Sequence, residues 1–356
     1  MTAIDQLISF KIDFEKVLGE FVRAKKKEAE QLDPKYAAFV DVLEDFTMRG
    51  GKRIRPAFMY FSYLACGGDK KEEIMKAARA VELLQSFLLI HDDLIDRSDL
   101  RRGKPTAHRM FEKEFDKLGL SGDREHFGQS TAIICGDLAH LFAHEALSDA
   151  KFPAENLTKA RKLFSEIVFE TAYGWYKEML NIMSDKVDES DVIKAIGSVS
   201  AKYTIIGPVS LGAILAGADE NRLTVLEKYG LKLGTAFQIQ DDILGMFGSD
   251  EEIGKPANSD MVEGKKTLLY IRLLKKLEDG EEKKRKFLAV YGKSKRMEDL
   301  EWVRQLIKER GILEEVKEEA KKLVREAIEI LAEGGFTGEG VDFLTGIAEY
   351  MVERKV

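Results

Sequence analysis

Two pairs of adjacent aspartates each follow an apolar stretch with helical periodicity. In the first, within His91–Asp96, Asp92 and Asp96 are four residues apart. On a helix this spacing puts both carboxylates on one face, about 6 Å apart at Cβ. Like charges so placed repel, and they also oppose the helix macrodipole. The motif therefore favours a hard cation such as Mg²⁺, which binds carboxylate and phosphate oxygens, although an ordinary acidic helix end is the alternative for this motif alone.

The second pair, Asp241 and Asp242, lies within Gln238–Gly245 and also precedes a loop rich in glycine and aspartate. Two aspartate pairs in equivalent settings are much less frequent by coincidence than one. They predict two walls of a single cavity that share a metal cluster.

Basic clusters accompany the aspartates. One follows a glycine pair in Gly50–Pro56, a second is Arg101–Lys104, and Lys255 and Lys265 follow the second aspartate pair. Arginine clusters bind phosphates through charge-assisted, often bidentate hydrogen bonds, although any one such patch alone is usually solvated surface. The sequence contains neither a P-loop nor a GxGxxG fingerprint to support nucleotide binding.

The composition of the chain restricts the kinds of partner that it can bind. The chain of 356 residues has a net charge of −7 and a pI near 5.6, which argues against a nucleic-acid partner. No uninterrupted apolar run reaches the length of about 18 residues that a membrane span needs, and the first residues do not resemble a secretory signal. Cys66 and Cys135 lie in apolar runs, which predicts reduced core thiols and a cytoplasmic location.

Helical periodicity dominates between the Gly/Pro-rich breaks, and strand-like alternation is scarce. The pattern predicts one all-α domain over residues 1–356. Within it, residues 1–45 form an N-terminal helical segment, and the highly charged residues 276–356 form peripheral helices.

From about Phe46 to Val356, the ordered motifs GGKRIRP, VELLQ…HDDLID…RRGKPT and FQIQDDILG…GK…SD…GKKT resemble the trans-isoprenyl diphosphate synthase family. Its members make geranyl, farnesyl or geranylgeranyl diphosphate. The resemblance implies a bundle of mostly antiparallel helices around a deep central pocket, of the isoprenoid synthase type I kind. It also implies a homodimer that binds isopentenyl diphosphate and an allylic diphosphate.

The resemblance also assigns roles to residues. It implies three Mg²⁺ ions per active site, with Asp92 and Asp96 binding two and Asp241 the third, supported by Asp93 and Asp242. The isopentenyl diphosphate ligands would be Lys52, Arg55, Gln85 and Arg102. The allylic diphosphate ligands would be Arg101, Lys255 and Lys265. The basic C-terminus at Arg354 and Lys355 would close over the isopentenyl site.

The chemistry expected of such a site is ionisation, condensation and elimination. The allylic C–O bond ionises as the metals neutralise the leaving diphosphate, and the carbocation needs a dry apolar pocket with a few aimed dipoles. Gln238 is a candidate for one of those dipoles. The isopentenyl double bond then attacks, and the departing diphosphate takes the proton, so no side-chain base is assigned.

Two positions depart from the family pattern. Val199 and Ser200 stand where relatives usually have Lys-Thr, and Trp175 replaces the glutamine of a Gly-Gln-x-x-Asp pattern whose carboxylate survives as Glu178. We expect Lys202, three residues after Val199, to replace the missing lysine at the allylic diphosphate, with Ser200 keeping the hydroxyl. A solvent-facing or carboxylate-paired Lys202 is the alternative.

Phe87 is the candidate floor for the growing prenyl chain. It precedes Asp92 by five residues, about 7.5 Å along a helix. The resemblance predicts geranylgeranyl diphosphate as product, with farnesyl diphosphate second, whereas plain core packing is the other interpretation of Phe87. A class I terpene cyclase and a non-catalytic regulatory subunit are the competing interpretations of the whole chain.

Overall fold

Capping residues and apolar periodicity place most of the chain in helices. The computed structural model describes residues 1–184, 186–248 and 259–353. Helix α1 (Ala3–Leu32) begins at a capping box, in which the Asp5 carboxylate accepts a hydrogen bond from the Thr2 backbone N–H at 2.9 Å. Helix α2 (Pro34–Met48) follows directly, because Asp33 caps it and Pro34 occupies the first helical position, where a missing N–H removes no helical hydrogen bond.

The all-α prediction is confirmed. Across the described ranges, the strand pairing is a single antiparallel hairpin of β1 (Leu100–Arg101) and β2 (Lys104–Pro105). The other elements are helical and follow in chain order: α3 (Ile54–Ala65), α4 (Lys71–Ile95), α5 (Ala107–Lys117), α6 (Arg124–Ser148), α7 (Ala154–Met183), α8 (Glu189–Ile196), a π-helical segment (Gly197–Ile206), α9 (Gly207–Ala216), α10 (Glu220–Phe247), α11 (Ser259–Glu263), α12 (Leu268–Lys276), α13 (Glu282–Val290), α14 (Met297–Glu309), α15 (Ile312–Ala332) and α16 (Glu339–Glu353).

The first of two compact units comprises Met1–Arg161, Gly212–Gly217 and Gly338–Phe343. Helices α4 and α6 pack along one another in this unit. The face of α6 that is buried there carries small residues: Ala132, Cys135, Gly136, Ala139 and Ala143. Small side chains at a helix contact let the two axes approach closely, so α6 holds the final turns of α4 in place.

The second unit comprises Lys162–Leu211, Ala218–Thr337 and Leu344–Val356. In it α10 packs against the π-helical segment and α15. A Cβ added at Gly234 would lie 2.5 Å from Ala201 Cα, and one at Gly230 would lie 2.9 Å from Ile206 Cα. Both glycines therefore let the π-helical segment lie directly against α10.

The helical stretch Glu189–Ala216 has the length and apolar composition of a membrane span, and 61% of its apolar window is buried inside the protein. A buried core helix has the same composition, because it too is apolar around its circumference. The absence of a membrane span therefore stays a prediction, as does the single-domain organisation over residues 1–356.

Candidate active site

The first aspartate motif lies in the last turn of α4, where Arg101 from β1 holds it. Arg101 Nη2 lies 2.9 Å from Asp92 Oδ2, and Arg101 Nε donates to Asp93 Oδ1 at 2.7 Å. The Asp93 side chain is fully buried, and its Oδ2 has no hydrogen-bond partner among the described residues. Burial raises the pKa of Asp93 to about 6, although the Arg101 charge opposes that rise. Asp96, half-buried, caps the helix.

A tight hairpin presents the two arginines. Its central residues, Arg102 and Gly103, have φ of 55° and 71°, and two-residue hairpin turns of type I′ require positive φ at both positions. Arg101 is thereby directed to the aspartates, whereas Arg102 Nη1 donates to the Gly50 carbonyl oxygen. A Cβ at Gly51 would lie 3.0 Å from Arg102 Nη1. A side chain at this position would therefore press on the Arg102 guanidinium.

A cavity in the first unit lies beside this hairpin and along α4. Its lining combines basic, polar and apolar side chains: Phe46, Thr47, Arg49, Glu82, Gln85, Ser86, Leu89, Arg101 and Arg102. Gln85 is buried, and its Oε1 lacks a hydrogen-bond partner within the described part of the chain. The amide of Gln85 also carries Nε2–H groups, which are the kind of donor that a phosphate oxygen needs.

Positive charge converges on this cavity. Desolvation lowers the pKa of the Arg102 guanidinium, Glu82 opposes that shift, and the charges of Arg53, Arg55 and Arg101 lower it further. Arg55 is half-buried, whereas Lys52 is exposed. The predicted ligands Gln85 and Arg102 thus line one cavity, and the charge of Arg55 acts on it.

Two lining residues escaped the sequence analysis because their roles depend on partners distant in sequence. Arg49 Nε donates to Asp45 at 2.8 Å, and its Nη1 donates to the Pro105 carbonyl at 2.5 Å. Glu82 accepts from the buried Arg53, which also donates to the Thr47 carbonyl at 3.0 Å. These bonds join the end of α2 to α4 and to the hairpin. For Glu82, the signal in the sequence was its position within the VELLQ motif.

In the second unit, a hydrogen-bonded chain joins three of the predicted site residues. Ser200 Oγ in the π-helical segment donates to Gln238 Oε1 on α10, and Gln238 Nε2 donates to Asp242 Oδ1 at 2.7 Å. Asp242 is buried and Asp241 is half-buried. These two hydrogen bonds fix the orientation of the Gln238 amide, whose Nε2–H group donates to the Asp242 carboxylate.

The Lys-Thr departure has a steric explanation. A Cβ at Gly174 of α7 would lie 2.3 Å from Val199 Cγ2, so the valine fills the notch that this glycine leaves. Lys202 Nζ pairs with Glu170 Oε1 of α7 at 2.8 Å. A helix with i→i+5 hydrogen bonds has more residues per turn than an α-helix. The angle around the helix axis that separates Lys202 from Val199 is therefore larger than an α-helix would give. The predicted substitution of Lys202 for the family lysine stays a prediction.

The remaining predicted bases have different positions. Lys265 Nζ lies 3.3 Å from Glu263 and 3.9 Å from Glu178, the carboxylate of the altered Gly-Gln-x-x-Asp pattern. Lys255, Arg354 and Lys355 lie outside the described residues.

Phe87, the predicted floor, is half-buried on α4 and contacts two histidines. Its ring centroid lies 4.8 Å from that of His91 in an edge arrangement and 4.9 Å from that of His140 of α6 in a stacked one. A Cβ at Gly136 would lie 2.4 Å from His91 Nε2, so this glycine makes room for the imidazole. Phe87 is therefore held within the contact between α4 and α6.

A profile of the polyprenyl synthetase family matches residues 37–309. The chain belongs to this family. It is 35% identical to a geranylgeranyl diphosphate synthase of Saccharolobus solfataricus, covering 86% of this chain and 87% of the relative. It is 30% identical to a geranylfarnesyl diphosphate synthase of Aeropyrum pernix, covering 86% and 91%.

Solved structures agree. A geranylgeranyl pyrophosphate synthase from Corynebacterium glutamicum, complexed with isoprenyl diphosphate and magnesium, superposes with a TM-score of 0.92 at 31% identity, covering 97% of this chain and 99% of that one. The fold is thus the all-α type I isoprenoid synthase fold, and the protein is a trans-prenyltransferase.

The residues of this prenyltransferase fit Mg²⁺. The described residues contain no group of three or more acidic, histidine or cysteine side chains that could hold an ion by themselves. Mg²⁺ typically binds to one or two carboxylates and takes its other ligands from water and substrate phosphates. Asp92, half-buried in the last turn of α4, matches that donor set, because it supplies carboxylate oxygens but not a complete cage.

Proposed function

We propose that this trans-prenyltransferase joins isopentenyl diphosphate to an allylic diphosphate, with geranylgeranyl diphosphate as its main product. The observation that carries this proposal is the cavity of the first unit, whose lining combines Arg102 and the amide of Gln85 with Arg101, the partner of the aspartates. One diphosphate can thus bind to Arg102 and Gln85, and a metal-bound diphosphate can bind next to it at Arg101. The named relatives at 30–35% identity do not favour a terpene cyclase or a non-catalytic subunit.

Magnesium would be held by Asp92 and Asp96 from the first motif and by Asp241 from the second, with three ions per active site. When bound, Mg²⁺ neutralises the leaving diphosphate and so lowers the barrier to ionisation. Asp93 and Asp242 support the ligating aspartates: Asp93 through Arg101, and Asp242 through Gln238.

The protein's own residues bind and orient the two diphosphates. Arg102, Arg55, Lys52 and Gln85 would hold isopentenyl diphosphate, with Gln85 positioned by its burial in α4. Arg101 would exchange its carboxylate partners for oxygens of the allylic diphosphate, which a guanidinium can bind through two parallel N–H groups. Lys255 and Lys265 would add charge to the same headgroup.

Carbocation stabilisation falls to the second unit. Ser200 and Asp242 fix the Gln238 side chain from both ends, so its dipole needs no reorganisation during the reaction. The departing diphosphate would accept the proton after condensation.

We also propose a homodimer. Five apolar residues exposed on α7 follow one another at spacings of four, three, four and three: Phe169, Tyr173, Tyr176, Leu180 and Met183. This spacing forms one helix face of the kind that packs against a second helix. Phe169 and Met183 are each 77% exposed, so the described part of the chain leaves this face uncovered. A second copy is the proposed occupant.

A cytoplasmic location is proposed from cysteine usage, since both cysteines are buried in apolar surroundings. Fractionation of the native host, followed by immunodetection, tests it. Recovery of the protein in the secreted or periplasmic fraction contradicts it.

One assay tests the reaction. The protein is incubated with Mg²⁺, isopentenyl diphosphate and, in separate reactions, dimethylallyl, geranyl or farnesyl diphosphate, and the products are identified by mass. We expect geranylgeranyl diphosphate from each primer, and no product when chelator replaces Mg²⁺. Farnesyl diphosphate as the end product would overturn the assigned chain length. Cyclic hydrocarbons formed without isopentenyl diphosphate, or no turnover with any primer, would overturn the function.

A further inference from the structure

Two histidines on α6 direct the same ring nitrogen at one another. His140 and His144 are separated by one helical turn, and their Nε2 atoms lie 3.2 Å apart. Their ring centroids are 4.8 Å apart with an interplanar angle of 59°, so the rings converge without stacking. Both side chains are half-buried at the surface of the first unit. The pair has no role in the proposed prenyl transfer.

The separation suits a shared cation. Imidazole nitrogens bind Zn²⁺ at about 2.05 Å, and two of them at the tetrahedral angle are about 3.3 Å apart. The observed distance of 3.2 Å between the two Nε2 atoms is close to this value. A direct hydrogen bond between the imidazoles is the alternative arrangement, and it needs one Nε2–H. Metal binding would require that ring to carry its proton on Nδ1 instead, with no net proton release.

The surroundings of both rings favour the neutral imidazole. Burial, followed by the neighbouring His144 and His91, lowers the pKa of His140, while Asp137 opposes that shift. Burial and then Arg161 lower the pKa of His144. Both imidazoles are therefore neutral near pH 7, which is the form that binds metals. Asp137 favours a nearby cation, and Arg161 disfavours one.

We infer that His140 and His144 form a binding site for a divalent transition metal of the Zn²⁺ and Ni²⁺ class. Two imidazoles would be the protein ligands, and water would complete the coordination. Nitrogen ligands select these ions over Mg²⁺, which prefers oxygen, so this site is chemically separate from the aspartate motifs. It also adjoins Phe87, because His140 stacks on that ring.

Calorimetric titration of the full chain with Ni²⁺, in millimolar Mg²⁺ that competes for the carboxylate sites, tests the inference without an activity readout. We expect one Ni²⁺ per chain, and affinity at least about tenfold weaker in both His140→Ala and His144→Ala, because each removes one of two ligands. His126→Ala is the matched control, since it removes an exposed histidine from the same helix and should bind Ni²⁺ like the unaltered protein.

The inference is overturned if the unaltered protein does not bind Ni²⁺, or if both variants bind as it does. Circular dichroism checks that each variant is folded. Should His140→Ala lose its structure because it no longer supports Phe87, His144→Ala decides, since that ring makes no stacking contact with Phe87. Unchanged Ni²⁺ affinity in His144→Ala alone would then mean that the pair is only hydrogen-bonded.

Discussion

Arg101 has donors that suit both the carboxylates of the first aspartate motif and the oxygens of a diphosphate. Its guanidinium pairs with both Asp92 and Asp93 and so reduces the repulsion between these carboxylates at the end of α4. Burial of a carboxylate is costly, and it raises the pKa of Asp93 even with Arg101 beside it. The arginine thus preserves the geometry that a metal-bound diphosphate later uses. The same N–H groups of Arg101 can bind phosphate oxygens.

The first residue-scale prediction concerns Asp92. We expect Asp92→Ala to lower kcat by at least about 100-fold, since it removes charge stabilisation worth several kcal/mol at the leaving diphosphate. Steady-state kinetics with mass-identified products measure this. Asp69→Ala is the control: it removes the same charge next to the opposite end of α4 and should retain activity. Near-normal turnover of Asp92→Ala would remove the first motif from the metal site.

Lys202 is the second residue to test, because its observed partner is Glu170 and its predicted partner is a diphosphate. If Lys202 binds the allylic headgroup, Lys202→Ala should lower kcat/KM for the allylic substrate about tenfold, and Val199→Lys in that background should restore part of it. Glu170→Gln breaks the same ion pair but keeps the ammonium, so it should stay near the unaltered value. Equal losses in Lys202→Ala and Glu170→Gln, or no loss in either, would refute the substitution.

At the scale of elements, the hairpin between α4 and α5 was expected only as a loop. RRGKPT contains turn residues, but nothing in it shows that Arg101 turns to the aspartates and Arg102 to the Gly50 carbonyl. That division depends on a left-handed Arg102 and on the glycine opposite it. Helix periodicity, by contrast, predicted α4 and α10 and the aspartates at their ends, because a repeating apolar pattern is a local signal.

The contact between Gly51 and Arg102 of the hairpin can be tested by substitution of the glycine. Gly51 has a φ of +114°, and a Cβ added there would lie 3.0 Å from the Arg102 guanidinium. Gly51→Ala should therefore displace the Arg102 side chain and raise KM for isopentenyl diphosphate about tenfold, with a smaller effect on the allylic substrate. Gly67→Ala is the control, since it has a similar φ of +88° but open space around it, and so carries the backbone strain alone. Equal changes of KM in both variants would show that strain, and not Arg102, is responsible.

Phe87 belongs to the contact between α4 and α6, and its test is the product. Phe87→Ala should shift the mixture toward longer prenyl chains, because it removes the ring that projects between the two helices. Mass analysis of the extracted products gives the distribution. Leu88→Ala removes a buried side chain about 100° farther round α4 and should lower stability without lengthening the product. An unchanged distribution in Phe87→Ala would place the floor elsewhere.

Across the whole molecule, the sequence was most informative where a motif and its helix coincide. Order along the chain was enough to recognise the family and the all-α fold. The π-helical segment could not be predicted, because an i→i+5 pattern arises from packing: Val199 in the Gly174 notch on one side, and Ala201 against Gly234 on the other. The Ser200–Gln238–Asp242 chain depends on that packing too, since it joins residues 38 positions apart.

Assembly is the last property to test at this scale. The exposed face of α7 repeats every three or four residues, whereas Gly174 and Glu178 lie on the opposite side of the helix at about 100° per residue. A second copy can therefore cover this face without blocking the contacts of Val199 and Lys265. We expect sedimentation at twice the chain mass of 40.2 kDa.

Phe169→Glu should shift the protein to the monomer, because a carboxylate would then have to be buried within an apolar contact. Leu288→Glu on α13 is the matched control: Leu288 is 41% exposed, lies away from α7 in sequence, and should leave the dimer intact. Analytical ultracentrifugation at micromolar concentration distinguishes the species. A monomeric unaltered protein would refute the homodimer, and a dimeric Phe169→Glu would show that the two copies meet through another surface.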